Sequence, residues 1–423
     1  MLNYHFPPLG GMGSIRAQAF ARLLPEFGWT PLVVTPRQGD HTVDPSLSWS
    51  EERVLRTHTF ELSRTGRALA DTVAGGQAER PATWRATLSS VARRYIYRPD
   101  AHVGWAPFAL ASAWRALRRE RFDAVFSSAL PVTAHLVALR LHQLTGLPWV
   151  AEFRDLWTDF AEYEGATPRA YRERMERRWL RAASAVVATS PTWARVFAER
   201  GAREVAVITN GFEPAEMPRR APEPDLVAYL GTFYPGLQDL PTAIAAAAAL
   251  RGDRRARLRF RIIGEGTPAL REAIAQSGLG EAVEVTGNLP QRVALERAAE
   301  AAVLVLAGPT SSEPLTRGHI PGKVFEYLGL GRPILYCGAL DSDVAGILGQ
   351  AAHARLVGTG DIRGACRALD DLLGEGASAP ADVAAFTRRA QCERLARLLD
   401  QVTCSPRQGQ SAPSGLQGPF NRR

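Results

Sequence analysis

Short runs of apolar residues, rich in β-branched and aromatic side chains, alternate with longer helical stretches along most of the chain. In the first half these runs fall at residues 31–35, 124–127, 149–153, 185–189 and 205–208. The second half repeats the pattern at 226–230, 259–263, 283–286, 303–306 and 333–336, with helical segments such as 241–250 and 268–277 between them. A continuous apolar run, rather than strict alternation, is what a strand covered on both faces requires. Strand and helix in regular succession predict parallel sheets with helices packed on each side, an α/β architecture.

The pattern breaks at residues 211–225, GFEPAEMPRRAPEPD, which carries four prolines and no apolar period. This is the predicted linker. A chain of 423 residues exceeds what one core usually organises, so two domains are expected. The expected division is an N-terminal domain over 1–212, a linker over 213–225 and a second domain over 226–382. A helix over 383–402 should pack back on the first domain. The segment 403–423, rich in Ser, Gly, Gln, Pro and Arg, should be a disordered tail. Weak periodicity over 37–98 predicts a long, partly helical insertion, either an acceptor-recognition element or a structural lid. The start is irregular, because a glycine loop begins after only six residues. Either the first strand is the stub 2–6 or the chain lacks part of its N-terminus, and the second reading is preferred.

Composition narrows the picture. Apolar residues at 46% and charged residues at 22% exclude a disordered or fibrous chain. A net charge of +8 admits nucleic acid, an anionic membrane or phosphate-bearing ligands as partners. Arg85, Arg93, Arg94, Arg98, Arg115, Arg118, Arg119 and Arg121 cluster against only Asp100 and Glu120. They form either a solvated helix face or a patch for anionic lipid or a lipid-diphosphate acceptor. Nucleic acid is set aside, since no recognisable binding module accompanies the charge. The four cysteines show no metal-ligand spacing, and no segment approaches the length of about 18 apolar residues that spans a bilayer. A cytoplasmic protein is expected, with any contact at the inner face of the plasma membrane peripheral.

Several loops carry candidate chemistry. In Pro7-Pro8-Leu9-Gly10-Gly11-Met12-Gly13 the glycines let a backbone approach a ligand, and the amides opening the next helix can hold negative charge. A plain tight turn is the alternative. The strand 149–153 delivers Arg154 and Asp155 at its carboxyl end, where ligands gather in open α/β sheets. An Arg–Asp pair that merely orders the loop is the competing reading. His135 sits early on a predicted helix, facing either the cleft or the helix packing. In the second half Gly231 and Thr232 follow the first strand, and Gly264 and Asn288 lie in the turns after later strands. Pro321-Gly322-Lys323-Val324-Phe325-Glu326-Tyr327-Leu328 places Lys323 and Glu326 three apart, on about the same helix face. Lys323 is the one lysine among 51 basic residues, and a compact ammonium does not substitute freely for a guanidinium.

Taken together these phrases resemble glycosyltransferase family 4, over nearly the whole chain up to about Val402. The resemblance implies a GT-B fold, two doubly wound Rossmann-like domains facing each other across a cleft. It implies transfer of a sugar from a nucleotide-diphosphate donor to a hydroxyl acceptor with retained configuration, in bacterial cell-surface polysaccharide or glycolipid synthesis. No cofactor and no metal beyond that donor are expected, since no DxD-type cluster is evident. Candidate catalytic residues are Asp155, Arg154 and His135. Candidate donor-binding residues are Gly11, Gly231, Thr232, Gly264, Asn288, His319, Lys323 and Glu326, with the Glu326 carboxylate on the ribose and the helix start facing the diphosphate.

Two departures qualify the resemblance. The family pattern would put a glutamate at position 318, and this chain has Gly318 there, beside His319 and five residues after Glu313. The loop from Gly231 to Gly236 also lacks the Arg and Lys that commonly bind diphosphate. Neutralisation would then rest on Lys323, Arg317, helix N-termini and Arg16. A catalytically degenerate sugar-nucleotide binding protein and a GT-B-like epimerase are the rival readings.

Overall fold

The structure is a computed structural model and describes residues 1–37, 43–44, 47–60, 98–160, 167–375 and 383–404. The first half runs β1 (Leu2–Asn3), α1 (Met12–Leu23), β2 (Val33–Pro36), β3 (Val54–Thr57), α2 (Ala106–Leu117), β4 (Val125–Ala129) and α3 (Thr133–Thr145). It continues through β5 (Trp149–Phe153), α4 (Arg169–Ala182), β6 (Ala185–Ala188), α5 (Pro191–Glu199) and β7 (Val205–Val207). These strands form one parallel sheet in the order β3-β2-β1-β4-β5-β6-β7. The order reverses beside β1, so the carboxyl ends of β1 and β4 flank a crevice, the place where such sheets bind ligands.

The second half runs β8 (Glu223–Leu230), α6 (Leu240–Ala249), α7 (Gly252–Arg257), β9 (Arg259–Ile263), α8 (Pro268–Ser277), β10 (Val283–Val285), α9 (Gln291–Ala299) and β11 (Ala301–Ala307). It closes with α10 (Pro314–Arg317), α11 (Lys323–Leu330), β12 (Ile334–Cys337), α12 (Asp343–Leu348), β13 (Ala354–Val357), α13 (Ile362–Glu375) and α14 (Arg388–Cys404). Its six strands are parallel in the order β10-β9-β8-β11-β12-β13. Val227, Tyr229, Val303, Val305 and Leu335 pack on one face of this sheet, Ala228, Leu304, Leu306 and Ile334 on the other. Burial on both faces accounts for the unbroken apolar runs of the sequence.

All ten strand runs read from the pattern are strands, shifted by no more than a few residues. Three strands escaped the pattern: β1 with two residues, β3 inside the supposed insertion, and β13. The stub at the start pairs with both β2 and β4, at the centre of its sheet. Strand β8 begins at Glu223, so the proline-rich link is shorter than its composition suggested. Most of the insertion, at 61–97, lies outside the described residues, as do the tail beyond Cys404 and three of the clustered arginines, Arg85, Arg93 and Arg94. Arg98 stacks over Tyr171 at 5.0 Å, and Arg115, Arg118, Arg119 and Arg121 are exposed on α2 and just after it.

The domains are joined at both ends of the cleft. At the hinge, α14 lays Cys392, Leu395, Ala396, Leu398 and Leu399 against Phe20, Leu23, Phe126, Val150 and Ile208 of the first domain. Buried Arg16 of α1 pairs with Glu152 of β5 at 2.8 Å. Its remaining donors go to the carbonyl oxygens of Ile208, at 2.7 Å, and Thr209, so α1 is pinned to the segment that leaves the domain. Away from the hinge, the start of α5 meets the second domain. Asp343 accepts hydrogen bonds from the Thr192 amide and hydroxyl, both at 2.8 Å. Leu315 of α10 packs against the apolar core of the first domain.

Candidate functional site

Six of the eight donor-side residues predicted from sequence converge on one cavity, while Gly11 and His319 do not. Gly231, Thr232, Gly264, Asn288, Lys323 and Glu326 line one cavity of about 260 Å³ at the carboxyl edge of the second sheet. Its floor depends on two glycines. Gly231 has φ +109, and a Cβ on Gly264 would lie 2.5 Å from the Gly231 carbonyl oxygen, a separation that heavy atoms do not adopt. The two loops therefore touch backbone to backbone, which leaves the space above them open.

Helix α11 supplies the polar wall. Its Tyr327 is buried; the hydroxyl accepts from the Leu230 amide at 2.8 Å and reaches the Val305 carbonyl at 3.2 Å, which fixes the helix to β8 and β11. One turn earlier Lys323 is half-buried. Its Nζ donates to the Tyr229 hydroxyl at 2.8 Å and lies 4.0 Å from the centre of that ring. Its partner is thus tyrosine rather than Glu326. Loss of water around the ammonium pushes its pKa down to about 7, against the opposing charge of Glu326. Burial likewise raises the Glu326 carboxyl above its usual range, opposed by a hydrogen bond from Gln291 Nε2 at 2.8 Å and by the charges of Arg388 and Lys323. Each group gains by the arrival of a ligand that its charged form prefers: an anion at Lys323, hydroxyl donors at Glu326.

Glu326 and Gln291 also border a larger interdomain cavity of about 1190 Å³, reached by Gly10 and Ile15 of the first domain and by Met217 and Arg220 of the linker. Across the cleft the starts of α1 and α11 face each other, with Met12 packed on Gly322. Gly11, at the head of α1 with φ +91, belongs to this opposite wall and not to the lining of the smaller cavity.

His319 stands in the turn between α10 and α11, exposed in the cleft. Although solvent reaches the ring, desolvation by the surrounding walls holds its pKa below the ordinary imidazole range. The charge of Asp155 opposes this and that of Lys323 adds to it. The charge of Asp155, from the first domain, is therefore felt at His319 of the second. Arg154 turns the other way: its Nε and Nη2 donate to the carbonyl oxygens of Ala129, at 2.7 Å, and Leu130, at 2.9 Å, and its guanidinium lies against Gly13.

Three assignments change. His135 is fully buried, its Nδ1 2.8 Å from the Ser127 hydroxyl and its ring between Phe153, Trp179 and Trp149. Burial pushes its pKa down to about 3, so it is a neutral core histidine without access to the cleft. Arg16 is consumed at the hinge, as described. Arg317 pairs with Asp341 at 3.4 Å and does not line the smaller cavity, so that among the described residues Lys323 is the cation there. Tyr229, Gln291, Trp193 and Asp343 were missed; no local motif marks them, because each acts on a residue distant in sequence. Among the described residues no three His, Cys, Asp or Glu side chains converge as metal ligands, and no helix is long and apolar enough to cross a membrane.

Comparison with known proteins agrees with this arrangement. Residues 10–216 match the Glycosyltransferase Family 4 model and residues 224–375 the Glycosyl transferases group 1 model. Among solved structures, the apo lipopolysaccharide outer core galactosyltransferase WaaB is similar with a TM-score of 0.56 and 13% identity, over 95% of this chain and 98% of that one. Sucrose-phosphate synthase from Thermosynechococcus elongatus is similar with a TM-score of 0.52 and 16% identity, over 93% and 91%. No curated protein matches by sequence. Two facing doubly wound domains, the first matching the Glycosyltransferase Family 4 model and the second the Glycosyl transferases group 1 model, identify the chain as a glycosyltransferase with the GT-B fold.

Proposed function

We propose that this glycosyltransferase takes its sugar from a nucleoside-diphosphate donor and passes it, with retention, to a hydroxyl acceptor. The observation that carries the reading is the ammonium of Lys323 at the Gly231 loop, one helical turn from Glu326, in a cavity that also holds Gly264 and Asn288. Lys323 and the amides of Gly231 and Thr232 would take the diphosphate, Glu326 the ribose hydroxyls, and Gly264 and Asn288 the base. Fixed dipoles and a cation would stabilise the departing diphosphate without a covalent nucleophile. Asp155 and His319, from opposite domains, would bound the transferred sugar. An acceptor in surface polysaccharide or glycolipid synthesis follows from the family resemblance, and the exposed arginines of α2 suit peripheral contact with an anionic inner membrane face.

Because Lys323 is the chain's sole lysine, acetylation mapped by mass spectrometry reports directly on this site. In a panel of UDP-, GDP-, ADP- and dTDP-sugars, one donor is expected to protect Lys323 and also to release nucleoside diphosphate on turnover. If every donor leaves the rate of acetylation unchanged, the donor site lies elsewhere.

The lowered pKa of Lys323 also predicts a pH dependence. Below about 7 the ammonium is charged before any donor arrives; above it, binding must first take up a proton. Affinity for the nucleotide sugar should therefore hold at pH 6 to 7 and fall as pH rises, approaching about tenfold per unit until the liganded pKa is reached. Calorimetric titration across pH 6 to 9 checks this, and Lys323→Ala should flatten the profile.

A further inference from the structure

Gly318 occupies the position where a longer side chain was expected, and the space beside it is filled from the other domain. A Cβ on Gly318 would stand 2.3 Å from Cδ1 and 2.4 Å from Nε1 of Trp193, and 3.0 Å from the Ser190 hydroxyl. Trp193 lies in the first turn of α5, in the first domain, and is 1% exposed. Its indole Nε1 donates to the Pro314 carbonyl at 3.1 Å, and its ring lies 6.3 Å from that of His319 at an angle of 40°. Besides the ion pair of Arg317 with Asp341 at 3.4 Å, the turn that carries His319 is held by short-range backbone bonds, Gly318 to Pro314 at 3.1 Å and His319 to Thr316 at 3.2 Å. A four-residue helix has little stability of its own. Its position is set by what packs on it: Trp193 over Gly318, and Leu315 inserted against the core of the first domain. The Asp343 carboxylate on the Thr192 amide and hydroxyl anchors the neighbouring residue of α5 to the second domain.

We propose that Trp193 is a positioning residue for glycosyl transfer: by seating its indole on Gly318 it holds the 314–320 turn, and with it His319 of the second domain, in place against the first. The nucleotide cavity does not depend on it, since α11 is tied to β8 and β11 through Tyr327. The sugar end of the site is thus completed by a residue of the opposite domain, while the nucleotide end is built within one domain. The glycine at 318 is the complement of the tryptophan.

The inference rests on the site assignment above, so one of its tests is independent of turnover. Trp193→Ala and the better-packed Trp193→Phe are compared with Gly318→Ala, whose new methyl would displace the indole. All three should lose at least tenfold in kcat with the best donor of the panel, while affinity for the matching nucleoside diphosphate stays within twofold. Hydrogen exchange at the amides of Arg317, Gly318 and His319 should accelerate at least tenfold, with Val324 to Leu328 unchanged. In the double variant Gly318→Ala with Trp193→Ala, the methyl should cost nothing further. Unchanged kcat, equal losses in kcat and nucleotide affinity, multiplicative effects in the double variant, or unaltered exchange in the turn would each overturn the proposal. A wild-type protein without turnover on any donor would sink the donor reading, and the exchange measurement would still decide the role of Trp193.

Discussion

Lys323→Ala is expected to lower kcat/KM for the nucleotide-sugar donor by about 10²- to 10³-fold, the scale of losing one preorganised charge at a developing anion. Among the described residues no other cation lines the cavity, since Arg16 and Arg317 are engaged elsewhere. Thermal stability should stay level or rise slightly, because the site strips water from the ammonium and so disfavours its charged form. Lys323→Arg should not rescue: the ammonium sits between the Tyr229 ring and the Gly231 loop, 3.6 Å from where a Gly231 Cβ would be, and a planar guanidinium does not fit that geometry. Steady-state kinetics with the protected donor decides the point; a loss below threefold would mean that the diphosphate is held without this side chain.

Arg16→Met should instead act on stability. Arg16 is 6% exposed and Glu152 1%, and Ser128 donates to the second carboxylate oxygen at 2.5 Å. Removing the guanidinium leaves a buried carboxylate without its counter-charge and frees two carbonyl oxygens at the hinge, at a cost of about 3–5 kcal/mol. The midpoint of urea unfolding should fall accordingly, with the nucleotide affinity of the folded fraction preserved. Had the side chain reached the diphosphate, the pattern would be reversed: intact stability and weakened donor binding. The two substitutions thereby separate the cation that serves the ligand from the cation that serves the frame.

The sheets were legible because parallel strands buried on both faces write their burial into contiguous residues. Strand β1 was legible only as a stub at 2–6, the less preferred of two readings, since two residues make no pattern and its position between β2 and β4 is set by partners. The convergence of residues on the smaller cavity was readable for a similar reason: Lys323 and Glu326 share a helix face, and Gly231, Gly264 and Asn288 each follow a strand on the same sheet edge. What failed were side chains whose surroundings come from far along the chain. Nothing near His135 reveals that Phe153 and Trp179 will enclose it, and nothing near Arg16 announces Glu152. The vacancy at 318 looked like a loss in the sequence; in the structure it is the contact surface for a tryptophan that lies more than a hundred residues earlier.

The helix that closes the hinge has a bearing on how the protein is made. Strands β4 to β7 and helix α1 leave the ribosome long before α14, so Phe20, Leu23, Phe126, Val150 and Ile208 must wait for Leu395, Leu398 and Leu399. At ordinary synthesis rates the delay over the roughly 180 intervening residues is about 10–40 s. During that interval the nascent first domain displays an apolar strip that α14 later covers. The N-terminal domain is therefore a discontinuous folding unit. A fragment cut at the linker should bind chaperones or aggregate, unless a peptide spanning 388–404 is supplied in trans.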